Sequence, residues 1–276
     1  MSGLARFFRK PETVAGGLIL AVLGAIALAA PVLFPGDPQA IAGPPLLPPF
    51  RDWALPLGTD RLGRDMLAEL VHGARASLAV GLAAAAASLV AGVLVGTLAG
   101  FAGGLADEIL MRLTDAFQTV PGFLLALAFV SVAGAALPVV VFAIALGAWT
   151  GPARLARAEV LSIRERDYVA AARVVGMRPV EIALHEILPN ALPPVLALAS
   201  VIVANAILVE AALSFLGLGD PNIVTWGSMI AEGRNVLRSA PFLSIVPGLG
   251  LVVTVLGVYL VSEGLAEALA VRKVRA

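Results

Sequence analysis

Six long apolar stretches, separated by shorter polar segments, dominate the pattern of this chain. They cover residues 14–34, 77–101, 117–132, 137–153, 191–213 and 242–262. Because about 20 apolar residues are needed to cross the hydrocarbon core of a bilayer as a helix, the pattern predicts six transmembrane helices. Only residues 133–136 separate the third stretch from the fourth, which predicts a tight hairpin. Several prolines fall near the starts of stretches, where a missing N–H costs least: Pro121, Pro138, Pro193, Pro194 and Pro247.

Composition agrees with this pattern. Of the 276 residues, 59% are hydrophobic and only 14% are charged, and the mean hydropathy is +0.95. A soluble domain of this length needs a charged surface that this composition does not supply. The expected fold class is therefore an all-α integral membrane protein. The formal net charge is zero, so no basic footprint for nucleic acid is visible.

The distribution of Lys and Arg predicts which helix ends face the cytoplasm. Most of the 19 basic residues fall on the side that holds both termini. These are Arg6, Arg9, Lys10, Arg112, Arg154, Arg157, Arg164, Arg166, Arg173, Arg178, Arg272, Lys273 and Arg275. The predicted order is a cytoplasmic segment 1–13, a first span 14–34, an extracytoplasmic loop 35–76, a core of five helices 77–263 with a cytoplasmic loop 153–188, and a cytoplasmic segment 264–276.

The first apolar stretch also has features of a signal peptide. Arg6, Arg9 and Lys10 form a basic leader, and residues 27–29 read Ala-Leu-Ala, as at a cleavage site. The apolar run is, however, about as long as a full span and longer than the usual core of a signal peptide. We therefore expect it to remain as a membrane anchor.

The residues that many enzymes need are absent or stand in the wrong context. There are no cysteines and only two histidines, His72 and His185, so a multi-residue metal site is not expected. A phosphate-binding P-loop needs a Lys between Gly and Ser or Thr, whereas Lys10 and Lys273 both follow Arg. The chain is thus predicted to carry no ATP site. The His-Glu pair at His185 lacks the second histidine of a zinc-protease helix, and no Gly-x-Ser-x-Gly elbow occurs.

Two loops hold most of the remaining information. The loop 35–76 is rich in proline, which predicts an extended, ordered lid, and Thr59 or Asp60 is expected to cap a short helix before the second span. The loop 153–188 has the pattern of two short amphipathic helices split at Gly176, where a turn is possible that a Cβ would resist. Five apolar residues can share the inner face of these helices: Val169, Ala172, Val175, Ile182 and Ile187. Such a helical hook fits a groove of a partner protein; the alternative is an ordinary solvated loop.

Four dispersed motifs resemble one protein family. Residues 168–190 begin Tyr-Val-Ala-Ala-Ala-Arg-Val-Val-Gly and end Ile-Leu-Pro-Asn; they resemble the "EAA" loop of permeases from bacterial binding-protein-dependent ABC importers. Three further segments resemble the second permease subunit of the dipeptide, oligopeptide and nickel group. They are 57–65 with 73–77, 210–219, and 226–233 with Pro247. The resemblance covers nearly the whole chain in order.

The resemblance implies a six-helix type I ABC importer permease of the bacterial inner membrane, moving peptides or, alternatively, nickel. The implied partners are a homologous permease subunit, two cytoplasmic ATP-binding subunits that carry ATP and Mg, an extracytoplasmic substrate-binding protein and the lipid bilayer. No cofactor, no metal and no catalytic residue is expected on this chain, which would not be an enzyme. The hook would couple ATP hydrolysis on the partner subunits to transport.

The resemblance also assigns the residues of the coupling loop. They are Asp167, Tyr168, Ala171, Ala172, Arg173, Gly176, Ile187, Leu188, Pro189 and Asn190. Two positions depart from the family pattern. Ala170 replaces the usual acidic residue, which removes a salt bridge to the ATPase from that position, and His185-Glu186 replaces the usual Arg-His before Ile-Leu-Pro.

Glu210 is the clearest ionisable residue inside a predicted span. Its carboxyl either lines a pathway, attracting a peptide amino terminus or a metal ion, or pairs locally. Gly92, Gly96 and Gly100 form a small-residue face for close packing, within the chain or against a partner. The spans otherwise carry almost no charge, which argues against an ion-coupled secondary transporter, and no catalytic dyad supports an intramembrane hydrolase.

Overall fold

The structure, a computed structural model, describes residues 10–270, with the backbone alone from residue 265 onward. All regular secondary structure in this part is helical. Its helices are α1 Pro11–Leu33, α2 Met66–Ala102, α3 Gly104–Thr119, α4 Gly122–Ala133, α5 Leu137–Ala148, α6 Thr150–Arg164, α7 Asp167–Val174, α8 Pro179–Phe215, α9 Trp226–Gly233 and α10 Phe242–Ala270. The predicted cytoplasmic residues Arg6, Arg9, Arg272, Lys273 and Arg275 lie outside the described residues.

Four helices are each long and apolar enough to cross a membrane: α1, α2, α8 and α10. Two further pairs qualify only together, α3 with α4 at a bend of 83° and α5 with α6 at a bend of 46°. The described chain therefore has four candidate spans, or six if each bent pair forms one span. The predicted helical membrane fold is confirmed, and a long helix or a bent pair overlaps each of the six apolar stretches.

Two helices begin well before the predicted spans that they contain. α2 begins at Met66, where the Asp65 side chain accepts a hydrogen bond from the N–H of Leu67 at 2.9 Å, so neither Thr59 nor Asp60 is the helix cap. α8 begins well before residue 191, which places the prolines of the fifth stretch inside the helix rather than at its start. With 37 residues, α2 is about 55 Å long against a hydrocarbon core of about 30 Å. It therefore projects beyond the apolar layer.

Thr59 and Asp60 instead fold the lid back on itself. The Thr59 hydroxyl donates to the carbonyl of Pro44 at 2.5 Å and accepts from the N–H of Leu47 at 2.9 Å. One carboxylate oxygen of Asp60 accepts from the N–H groups of Leu62 and Arg64 at 2.8 and 2.7 Å. These bonds tie the proline-rich part of the lid to the segment that leads into α2.

Glycines set the closest helix contacts. A Cβ at Gly92 would lie 2.6 Å from the carbonyl oxygen of Trp149, and one at Gly100 would lie 2.9 Å from a methyl carbon of Val160. The small-residue face of α2 therefore packs against α6 inside the chain, and α2 with α6 is the most extensively packed helix pair of the described part. The predicted hairpin of α4 and α5 is also confirmed, with Gly134 at φ +96° in its turn.

Candidate functional site

The chain forms a hook from the end of α6, through α7, to the start of α8. α6 continues through the first part of the predicted loop as far as Arg164, so residues 153–164 are helix rather than loop. α7 follows after a two-residue turn, and the chain then reverses at Gly176 before α8 begins at Pro179. The predicted division into two helical pieces at Gly176 is confirmed, although the second piece is the start of a long helix.

The turn at Gly176 has the hydrogen bonds of a Schellman motif. Gly176 has φ +88°, and its N–H donates to the carbonyl of Arg173 at 3.1 Å. The N–H of Met177 donates to the carbonyl of Ala172, also at 3.1 Å. At the start of α8, the Glu181 carboxylate accepts from the N–H of Arg178 at 3.1 Å. The turn is therefore closed by backbone bonds on one side and by a side chain on the other.

The inside of the hook is a compact aliphatic core. It consists of Val160, Ile163, Val169, Ala172, Ile182, Ile187 and Ala191, none more than 9% exposed. Four of the five residues predicted to share an inner face are in this core. The prediction is wrong for the fifth residue, Val175, whose side chain is 83% exposed. Ala172 and Ile187 therefore maintain the shape of the hook from within, because their side chains are not on its surface.

The outside of the hook presents a second apolar surface, which we call the hook tip. Its members are Val174, Val175, Val180 and Leu184, which are 88, 83, 66 and 53% exposed. The sequence pattern did not single out Val174, Val180 or Leu184. The sequence feature that could have predicted this exposed surface is the pair of valines directly before Gly176. One of two consecutive helical residues must turn away from the core.

The other predicted coupling residues surround the tip. Asp167, Tyr168, Ala171, Arg173, Gly176, Pro189 and Asn190 are exposed, and Leu188 is half-buried. The side chain of Asn190 donates to the carbonyl of Glu186 at 2.7 Å, and the Tyr168 hydroxyl lies 3.5 Å from the same oxygen. Tyr168 thus joins α7 to α8 at this carbonyl, whereas the Asn190 bond lies within α8.

Three arginines of α6 bind the neighbouring helices. The Arg164 guanidinium donates to the carbonyls of Gly100 and Phe101 at 3.1 and 3.2 Å, which satisfies acceptors left open at the end of α2. Arg157 binds both oxygens of Asp107 at 2.5 and 2.6 Å. Arg154 forms an ion pair with Asp115 of α3. The sequence analysis used these arginines only to predict which helix ends face the cytoplasm. In the structure they also attach the hook to α2 and α3.

Asp115 lies three residues after Arg112, a spacing that allows an ion pair within α3. Glu108, Arg112 and Asp115 are spaced for ion pairs along one helix. Glu108 does pair with Arg112 at 2.6 Å. Asp115 pairs instead with α6.

The start of α8 is a π-helix from Ile182 to Ile187. The N–H of Leu188 bonds to the carbonyl of Ala183, five residues back, and Pro189 has no N–H to continue the ordinary ladder. Such turns occur often at functional sites and mark places where a helix can change its pitch. The π-helix contains Leu184 of the hook tip and leads into the membrane part of α8.

Glu210 lies at the other end of the bundle inside a polar cluster. Its carboxyl accepts from the Ser214 hydroxyl at 2.7 Å and lies 3.5 Å from the Ser77 hydroxyl. The Ser77 hydroxyl accepts from the N–H of Trp226 at 3.1 Å, and Thr225 lies 3.4 Å from Ser214. Glu210 is only 2% exposed. Of the two interpretations, local pairing is the one that these contacts favour.

Comparison with known proteins gives consistent results across nearly the whole chain. A probable peptide ABC transporter permease protein of Sinorhizobium fredii is 43% identical, over 94% of this chain and 88% of that protein. A di/tripeptide transport system permease protein of Pseudomonas aeruginosa is 40% identical, over 95% and 89%. A nickel transport system permease protein of Escherichia coli is 36% identical, over 91% and 90%.

The fold has a counterpart among solved structures. A chain of the inward-facing MetNI methionine ABC transporter superposes with a TM-score of 0.61 at 19% identity, covering 74% of this chain and 97% of that one. At this identity the likeness concerns the fold alone. Residues 92–275 match the family described as "Binding-protein-dependent transport system inner membrane component". The chain therefore belongs to this family of multi-pass inner-membrane permeases.

Proposed function

We propose that this chain is the permease subunit of an ATP-driven importer that moves peptides into the cytoplasm. Family membership and the names of the 43 and 40% identical relatives support this proposal. A nickel importer is the second candidate, because a nickel permease is 36% identical over nearly the same length. Both candidates place ATP and Mg on partner subunits, and neither assigns catalysis to this chain.

The hook tip is the observation that carries the proposal. Val174 and Val175 are among the most exposed large apolar side chains of the described part, yet they stand on a turn closed by backbone hydrogen bonds rather than on a span. Exposed apolar side chains beside arginines, on a preformed helical hook, are the features of a surface that docks into a partner's groove. We assign the ATP-binding subunit as that partner, which places the hook and both termini in the cytoplasm.

Coupling then follows from how the hook is attached. A movement of the ATP-binding subunit displaces the hook tip, and the aliphatic core keeps α7 and the start of α8 together as one body. The arginines of α6 pass this displacement to the end of α2 and to α3, because Arg164 and Arg157 bind those elements directly. A second permease subunit would complete the pathway, and an extracytoplasmic binding protein would select the substrate.

Charging the hook tip tests this proposal. Val174→Asp should abolish co-purification of the ATP-binding subunits and reduce substrate-stimulated ATP hydrolysis at least about tenfold, because a carboxylate without a partner is costly in an apolar contact. Ile41→Asp is the control, since Ile41 is 76% exposed on the lid; it should change neither readout. Normal co-purification and stimulation in Val174→Asp would contradict the assignment of the hook tip.

A further inference from the structure

Asn205 places a side-chain amide on the open side of α8. It is exposed, and within the described residues its side chain forms no hydrogen bond. The polar groups nearer the outer end of the bundle differ in this respect. Glu210 is bound inside its polar cluster. Arg64 lies 3.5 Å from Glu69 and 3.7 Å from Glu232. Asn205 is therefore a polar side chain that the packing of the described chain does not satisfy.

The contacts of α2 give the depth of Asn205 in the membrane. The ring of His72 lies 3.1 Å from the carbonyl oxygen of Phe34, so the outer end of α1 is level with His72. Nine residues further along α2, Gly81 packs so closely on Ile207 that a Cβ would collide with it. Asn205 precedes Ile207 by two residues on α8, which runs antiparallel to α2. At about 1.5 Å per residue, Asn205 is about 16 Å from the outer end of α1, close to the middle of a hydrocarbon core of about 30 Å.

The packing of α8 limits what its open side can face. α8 is an inner helix, packed against α2, α5, α6, α9 and α10. Ile202 and Ala206 are buried, whereas Val201 and Leu208, about one turn before and after Asn205, are exposed together with it. A polar group without a hydrogen bond is costly in hydrocarbon, and polar residues inside spans accordingly face other helices or water-filled cavities. We therefore expect the open side of α8 to face protein or water instead of lipid.

The side chains around Asn205 favour water over a closely packed helix. Close helix contacts need small residues, as where Gly92 and Gly100 of α2 pack on α6. Val201 and Leu208 are 53 and 47% exposed, and their bulk keeps another backbone away from the Asn205 amide. Water both donates and accepts hydrogen bonds, so a water-filled space satisfies the amide without close approach. Many transporters bind their substrates near the membrane midplane, which is the depth of Asn205.

We propose that Asn205 lines the substrate pathway in the middle of the membrane and hydrogen-bonds the amide groups of a passing peptide; this inference rests on the proposed function. The side chain has one carbonyl acceptor and two N–H donors, which match the N–H and C=O groups of a peptide bond. Because the amide is neutral, it binds peptides regardless of the charges on their side chains. It does not supply the imidazole nitrogen that suits Ni²⁺, so position 205 favours a peptide over nickel.

Water access at position 205 is the first test. The chain has no cysteine, so Asn205→Cys gives a single thiol when the chain is assembled with cysteine-free partner subunits in lipid nanodiscs. Val22→Cys is the matched control, because Val22 is 49% exposed in the middle of α1. A charged methanethiosulfonate reagent attacks the thiolate, which needs water to form. We expect position 205 to react at least about tenfold faster than position 22, as an accessible thiolate does.

Peptide preference is the second test. Proteoliposomes with the whole importer and its binding protein are given either alanylglycine or alanylsarcosine, whose amide nitrogen is methylated and cannot donate. The same binding protein is used throughout, so its own preference cancels when variants are compared. Asn205→Leu should reduce the preference for alanylglycine by about two- to tenfold, the effect of one hydrogen bond, and Asn205→Gln should keep it. Ser131→Ala is the control and should change nothing, since the exposed Ser131 hydroxyl already donates to the carbonyl of Leu127 at 2.7 Å.

Equal labelling rates at positions 205 and 22 would overturn the proposal and indicate that a partner helix covers Asn205. An unchanged preference in Asn205→Leu would overturn it as well, because a merely structural role would lower the uptake of both peptides alike. Uptake of either peptide by the wild-type importer upholds the proposed function even when both results go against Asn205. Absence of all peptide uptake by the wild-type importer would contradict both proposals.

Discussion

At the hook end of α2, the interior is aliphatic, with Val160 and Ile187 fully buried, and the hook tip is aliphatic as well. At the other end, around α9, the interior contains Glu210, Ser77 and Ser214 joined by hydrogen bonds. Aliphatic contacts are non-directional, whereas hydrogen bonds fix distance and angle. Under the proposed function, the hook end would move as a body and the α9 end would be held in one geometry.

The largest effect is expected from substitutions of Glu210, at the α9 end. Glu210→Ala removes the acceptor for Ser77 and Ser214 and should lower the free energy of unfolding by about 1–3 kcal/mol, the usual cost of leaving buried polar groups unpaired. Glu210→Gln keeps an acceptor oxygen and should cost clearly less. Thermal unfolding in detergent measures both.

A different outcome would reverse the interpretation of Glu210. If both substitutions leave the unfolding temperature unchanged but alter substrate uptake, the carboxyl acts in the transport pathway. The α9 end would then not be the fixed end of the molecule.

A second, smaller effect concerns the turn of the hook. Gly176→Ala meets no atom within 4 Å, but its φ of +88° strains any residue with a Cβ, so we expect a loss of about 1–2 kcal/mol in local stability. Gly151→Ala is the matched control, since it also meets no atom within 4 Å and lies inside α6. There alanine should stabilise by up to about 1 kcal/mol. Hydrogen exchange of the α7 amides reports the difference, and equal protection in both variants would contradict the strained turn.

The smallest effect is expected at the attachment of the hook. A double-mutant cycle on Arg157 and Asp107 should give a coupling energy of about 1 kcal/mol, because the pair is bidentate but partly open to solvent. Glu108 and Arg112 form the comparison pair, with exposed fractions of 55 and 78%; their cycle should give less than half of that. If the two cycles agree, the arginines of α6 are ordinary surface charges.

Local rules account for what the sequence could predict. The length of the apolar stretches predicts the spans, and a glycine before a helix that starts with proline predicts the turn at Gly176. The small residues 133–136, at the junction of α4 and α5, predict the hairpin. The family resemblance added the coupling role, which no local rule contains. The family assignment made on those motifs is confirmed by the match over residues 92–275.

The missed features all depend on tertiary packing. Arg157 and Asp107 are 50 positions apart, so no helical spacing connects them. Val175 satisfied the predicted inner face, but the Schellman turn rotates it outward, because the chain must reverse one residue later. The cluster of Arg64, Glu69 and Glu232 needs the lid, α2 and α9 in place before its charges meet.

Cysteine labelling tests whether the hook tip docks on the ATP-binding subunits. The chain has no cysteine, so Val175→Cys gives a single reactive thiol at the tip. Trp53→Cys is the matched site on the lid, because Val175 and Trp53 are both 83% exposed. With the ATP-binding subunits present, maleimide labelling at position 175 should slow at least about tenfold, as expected when a site is covered in an interface, while position 53 should label at an unchanged rate. Equal labelling rates at position 175 with and without those subunits would show that they do not cover the hook tip.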